Sequence, residues 1–502
     1  MSEVDEGNLS KGRTGTEEGR RSSLSEDERA ISRRAYLAAA GGVVAAAVIG
    51  GAAYYLSQPT PTTTPTTTPT QPPLRYAGAS WVMYPEIAKE WEKLTGQKLE
   101  YTIIPIDVIA PRIVASGGAG WDITHNSLQS LEPITSAVPP VIQPIPIEKI
   151  PRWTETKPEE MCKFFVDPEA ILTPRGFTED AIKHLMSILW YERDKKLNGV
   201  PAAMNTDTIG YLPEFIPYEE KGDSAFGPSY NEVFNPEWKG HVALETAPGD
   251  FLSKLCAYLA YNKLADLPSF DGTIRALSKE DVDTTINFLA PYVQSGHIKA
   301  FWVDYGEAVT YFATKEVWIQ FCWQPVVMDT RRAGVPCYYA RPIEGTLFWW
   351  SQDMISIQTD KLESCYKFLN WRLSPWYGKF ISRNGYSIPN YGMPDIKEYM
   401  GIEFWNWYWG GKATYKPIDE AMKEMWPDRE DFWTLPERLQ QALFLPDKYT
   451  WNPGEGTPHP RGNLRDQGSL DDRMEQIGCV ATYPKNIDYI VERWSYLRSL
   501  LP

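Results

Sequence analysis

Residues 74–106 read LRYAGASWVMYPEIAKEWEKLTGQKLEYTIIPI. The opening LRYAGASW has the character of a short strand. Pro85 then starts a helix in which Ile87, Trp91 and Leu94 recur at i, i+4 and i+7, and Gly96 closes it. KLEYTIIPI follows at once as a second strand. Strand, helix and strand within about thirty residues make a βα unit, for which a parallel sheet is expected. The alternation recurs in HVALET (241–246, strand), a helix from Asp250, VDTTINFLAPYV (282–293, helix), EVWIQFCW (316–323, strand) and LESCYKFLNWRL (362–373, helix). The fold class is α/β, and residues 74–502 are too many for one such sheet, so two lobes are expected.

With 43% hydrophobic and 23% charged residues, the chain has the make-up of a globular protein. Its formal charge of −15 repels phosphate backbones and anionic lipid, which argues against nucleic-acid binding. Six cysteines are scattered without a C-x-x-C pair, so zinc-ribbon and dithiol redox readings fail on spacing. One to three disulfides and buried free thiols are equally compatible with that pattern. The five histidines show no H-E-x-x-H or other metal-ligand spacing, and G-x-S-x-G, G-x-x-x-x-G-K and G-x-G-x-x-G are all missing from the sequence.

The N-terminal region reads as an address and a tether. Residues 1–34 mix charges of both signs with Gly and Ser, too polar to offset the entropy of ordering, and are expected to be a disordered leader. Ser32, Arg33, Arg34 and Leu37 match the twin-arginine export pattern S-R-R-x-F-L-K, with Tyr36 in the Phe place and Ala38 departing from Lys. Residues 35–56 are twenty-two uncharged residues, long enough to cross a hydrocarbon core of about 30 Å as a signal or transmembrane span. Residues 57–73 contain PTPTTTPTTTPTQPP, an extended Thr/Pro stalk reaching roughly 45 Å. A stalk favours an anchored protein on the extracytoplasmic face of the membrane; cleavage of the span would release it as a periplasmic or secreted one.

Five segments in chain order resemble the extracellular solute-binding proteins of ABC importers, in the spermidine/putrescine-binding group. They are SWVMYPEIAKEWEKLTGQKLEY, PEWKGHVAL, PIEGTLFWW with its P-x-E-G-x-x-x-W pattern, NGYSIPN, and the closing amphipathic NIDYIVERWSYLRSL. The resemblance implies a two-lobed periplasmic-binding-protein fold of type II, with ligand in the cleft and closure by hinge bending. It implies lobe 1 from 74–205 plus 346–393 and lobe 2 from 206–345 plus 394–502. Residues 391–484 exceed what the group needs and read as an elaboration of the second lobe. The implied partners are a small-molecule solute and an ABC permease, with no cofactor and no covalent chemistry; the first expectation for the solute is a polyamine or other amine. A sugar or anion on the same scaffold is the alternative, and an extracellular carbohydrate-active hydrolase the rival class.

Strand alternation in GTLFWWSQDMISI (345–357) puts Trp349, Ser351 and Asp353 on one face and Phe348, Trp350 and Gln352 on the other. A ring and a carboxylate together suit an ammonium, through cation–π attraction and a charge-assisted hydrogen bond. The group's pattern here is W-x-D, so Asp353 comes two positions late and Ser351 holds the acid's place. The resemblance also implies cleft roles for Trp81, Tyr84, Ser127, Asp250, Trp323 and Tyr386. Val82 and Met83 replace a polar pair of the group, and Ala247 replaces an aspartate for which Glu245 could substitute. The structural alternatives are core packing for the tryptophans, a strand-end role for Asp353 and a helix cap for Asp250. Trp405, Trp407 and Trp409 share one face if extended and read as a packed patch.

Overall fold

The computed structural model describes residues 71–216, 228–303, 305–382, 385–412, 451–452, 457–458 and 466–502. The leader, the twin-arginine motif, the apolar span and nearly all of the stalk lie outside these residues. Among the described residues no helix is long and apolar enough to cross a membrane.

β1 (Leu74–Gly78), α1 (Pro85–Thr95) and β2 (Leu99–Ile103) form the expected unit, with β1 and β2 parallel from Leu74↔Leu99 to Gly78↔Ile103. Gly96 ends α1 in the left-handed conformation at φ 68°, and its N–H bonds Glu92 O. Ile87 and Trp91 are buried but Leu94 is 56% exposed, so the inward stripe of α1 is narrower than the spacing predicts. The elements that matter next are β3 (Ile123–Ser127), β4 (Val200–Tyr211), β5 (Val242–Glu245), α2 (Pro248–Tyr261), α3 (Lys279–Gln294) and β6 (Ile298–Trp302). After them come β7 (Ile319–Cys322), α4 (Gln324–Arg332), β8 (Thr346–Ser356), α5 (Leu362–Trp371), α6 (Ile402–Tyr408), β9 (Ile477–Val480) and α7 (Ile487–Arg498).

Among the described residues eleven strands form one sheet, whose main path is β6-β5-β7-β4-β8-β3-β1-β2. Its centre is a ribbon of the two long strands β4 and β8, antiparallel from Leu347↔Asp207 to Asp353↔Val200. The two ends of the ribbon serve different lobes. β8 pairs with β3 at Ser351↔Ser127, while β4 runs on to pair with β7 at Thr208↔Cys322. Every residue of both strands is buried, so neither shows a solvent-facing polar side and their polar residues 205–208 and 351–353 lie inside the protein. On one side the core gathers Leu74, Tyr76, Ile87, Trp91, Trp350 and Phe368; on the other it gathers Leu244, Leu252, Ile286, Phe321 and Trp494.

The C-terminal extension differs from the expected assignment to lobe 2. Phe404, Trp407, Tyr408 and Trp409, with Leu470, Met474 and Ile477, pack into the first cluster; α7, through Ile490, Trp494 and Leu497, and the following Leu500 and Leu501 pack into the second. The reason is β9, which joins β8 in parallel at Phe348↔Val480, and the Trp409 indole, which donates to Ser387 Oγ at 2.8 Å. The FWNWYW stretch is helical through Tyr408, so its tryptophans do not align as they would when extended. Trp407 and Trp409 are buried, and Lys397 lies 4.3 Å from the Trp405 ring. All six cysteines are buried free thiols.

Gly345 leads into β8 at φ 101°, and a Cβ there would come within 2.5 Å of Gly478 backbone and the Arg175 guanidinium. Gly345→Ala should cost about 1–3 kcal/mol in urea unfolding, since the left-handed backbone and the close approach to Gly478 both exclude a side chain.

Candidate functional site

The ring wall is built from three separate elements. Trp81 lies in the turn after β1, Trp349 midway along β8, and Tyr386 in the loop that follows Gly385. Their rings meet edge to face, at 5.3 Å for Trp81–Trp349, 5.5 Å for Trp81–Tyr386 and 5.4 Å for Trp349–Tyr386. Tyr84 caps α1 beside them with its ring 5.5 Å from Phe380. Trp350 turns the other way, 5.4 Å from Phe164 and 5.8 Å from Phe165, as strand alternation requires.

The wall is wired to a group of acids on β4, β5 and α2. Trp349 Nε1 donates to Asp207 Oδ2 at 2.7 Å, and the Tyr339 hydroxyl lies 3.3 Å from Asp207 Oδ1. Glu245 ends β5 and forms a fully buried ion pair with Lys254 of α2; Trp323, at the start of α4, packs edge to face on Trp302 at 5.1 Å. Asp250 stands one turn before Lys254 on the same helix. Burial, reinforced by the charges of Glu245 and Asp250, pushes the Asp207 carboxyl well above its usual range. Burial and Glu245 likewise raise Asp250 to about 7, against the pull of Lys254. Burial works against the Lys254 ammonium, but Glu245, Asp207 and Asp250 outweigh it and keep the group charged.

Asp250 differs from the other acids. It is 7% exposed, and among the described residues no donor hydrogen-bonds its carboxylate. It occupies the first turn of α2 without serving as its cap, which is Ala247.

Asp353 and Ser127 lie elsewhere. Asp353 is 0% exposed, with Oδ1 bonded by Tyr76 Oη at 3.0 Å and His125 Nδ1 at 2.7 Å, and Oδ2 by Arg372 Nε at 2.8 Å. Burial would raise this carboxyl, but Arg372 and His125 hold it below the usual range. Burial lowers the pKa of His125, which as a neutral ring donates Nδ1–H to Asp353 and meets Trp81 at 5.4 Å. The expected direct contact of Asp353 with an amine is replaced by an internal guanidinium; the residue supports the ring wall from behind. Ser127 is buried opposite Ser351, and among the described residues no hydrogen bond joins its side chain to another expected site residue.

Sequence reading missed Asp207 and Lys254, and offered Glu245 only as a substitute. Lys254 stands at i+4 from Asp250, which puts both on one face of α2; that spacing was available in the sequence. Asp207 carries no local signal, because only the pairing of β4 with β8 sets it beside Trp349.

Neither a protein-family model nor any curated protein matches the chain. Solved structures do. The described architecture is a two-lobed α/β fold of the type II periplasmic-binding class. One similar structure is the spermidine/putrescine ABC transporter substrate-binding protein PotD from Streptococcus pneumoniae, at 15% identity and TM-score 0.51, covering 86% of this chain and all of that one (100%). Another is the PotD lipoprotein of Treponema pallidum, at 10% identity and TM-score 0.51, also covering 86% of this chain and 100% of that chain. At these identities the likeness is one of fold.

Proposed function

We infer that this chain is the extracytoplasmic solute-binding component of an ABC importer, capturing a small organic amine between its lobes and presenting it to a permease. Its N-terminal span and Thr/Pro stalk hold it at the outer face of the membrane. The observation that carries the amine is Asp250, a nine-tenths buried carboxylate without a hydrogen-bond partner among the described residues, within electrostatic reach of Asp207 and so of Trp349. An ammonium there gains a charge-assisted hydrogen bond and a ring surface together. A ligand touching both lobes favours the closed form by its differential affinity for it. We read the cleft as a carrier's, not a hydrolase's. Glycoside hydrolysis uses two carboxyl groups about 5–10 Å apart across the bond to be cleaved, whereas Glu245 is held by Lys254 and Asp207 by Trp349.

Thermal shift of the full-length chain against amines, neutral sugars, amino acids and oxyanions tests this reading. Stabilisation by amines is expected; a clear shift with a neutral sugar and none with any amine would replace it. Trp349→Ala should weaken the amine by about 1–2 kcal/mol in calorimetric titration, and unchanged affinity would remove the ring wall from the site.

A further inference from the structure

We propose that Lys254 is the specificity-determining residue of the cleft: its ammonium, fixed beside Glu245 and one turn from Asp250, occupies the place of a second ligand charge, so the site takes an amine with a single ammonium group and disfavours di- and polyamines. The proposal rests on the amine reading above and narrows it.

Among the described residues each acid around the cleft has a partner except one. Asp353 has Arg372, and Glu245 has Lys254, so two carboxylates are matched by two cations that belong to the fold. Asp207 accepts from a neutral donor, the Trp349 indole, and Asp329 of α4 accepts the Tyr305 hydroxyl. Asp250 is left to receive one ammonium. A second ammonium entering the group of Asp207, Glu245 and Asp250 meets Lys254 already there, 5.6 Å from the Phe321 ring and 0% exposed. Like charges brought together without water between them are strongly disfavoured, whereas a monoamine avoids the conflict.

Butylamine and putrescine share a four-carbon chain and differ by one ammonium, which makes them suitable probes. Calorimetric titration of the full-length chain at about pH 8, where Asp250 is ionised, should show butylamine bound about tenfold or more tighter than putrescine. Lys254→Met frees Glu245 and should move the ratio at least about tenfold toward putrescine. Because that variant buries an unpaired carboxylate, Glu245→Gln provides a second reading: it leaves Lys254 unbalanced and should weaken both amines, putrescine more. Equal or tighter putrescine binding by the unaltered chain overturns the proposal, as does an unchanged ratio in a folded Lys254→Met or unchanged amine affinity in Glu245→Gln. Binding of neither amine alongside binding of a neutral sugar defeats the amine reading itself, an outcome distinct from the loss of selectivity alone.

Discussion

Arg372→Met should destabilise the protein by about 3–5 kcal/mol, the range for breaking a buried ion pair by removing one partner. Arg372 is fully buried. Besides Asp353 it donates to Val82 O at 3.2 Å and to Tyr76 Oη at 3.3 Å, and its guanidinium lies 4.1 Å from the Tyr377 ring. Methionine restores most of the volume but leaves Asp353 charged and buried with only His125 and Tyr76 to support it. The pH dependence carries a sign. Asp353 has its folded pKa depressed, so its contribution is present above the ordinary carboxylate range and is lost as pH falls through the folded value. Without Arg372 that depression goes, and acid unfolding should begin at higher pH. Urea titrations at neutral and mildly acidic pH measure both effects; a loss below about 1 kcal/mol would mean that His125 and Tyr76 suffice. The double variant Arg372→Met/Asp353→Leu should recover much of the loss, because no unpaired charge remains.

Asp250→Asn should cost amine affinity about 2–3 kcal/mol, roughly 30- to 150-fold, since it exchanges a charged acceptor for a neutral one in a site with little water. Its effect on folding runs the other way. A carboxyl raised to about 7 from its ordinary value binds its proton more tightly when folded, so stability falls as pH rises from about 4 to about 7 and is level above that. The asparagine variant lacks that fall and should be the more stable protein at about pH 8 while binding worse. Amine binding by the unaltered chain should weaken about tenfold per pH unit below about 7, as protons compete for Asp250. Flat affinity between pH 5 and pH 8 would show that the ammonium sits elsewhere.

Much of this fold was legible because its signals are local. The Pro85 start, the i, i+4, i+7 spacing and the Gly96 stop give α1, and alternation in FWW correctly sends Trp350 into the Phe164–Phe165 core and Trp349 to the other face. What failed were matters of pairing across the chain. Asp353 shares the face of Trp349 but lies four residues further along β8, where α5 delivers Arg372 just beyond its end; nothing near residue 353 in sequence announces that guanidinium. The packing of 394–409 and 470–481 into the first cluster was hidden in the same way, because it follows from the pairing of β9 with β8, far earlier in the chain. Lys254 is hidden in the sequence for a different reason: a lysine on a helix ordinarily faces water, and only the neighbouring acids of β4 and β5 make its burial tolerable.

Trp349 stands opposite Asn205 on the β4–β8 ribbon, while Asp250 is carried on α2 away from it. If the lobes turn about that ribbon, the indole sits at the axle and the carboxylate on the lever arm. A solute resting on Trp349 meets a surface that changes little between open and closed states, and Asp250 arrives afterwards. The ring would then govern capture and the carboxylate retention, so the Trp349→Ala defect should be divided between association and dissociation, and that of Asp250→Asn concentrated in dissociation.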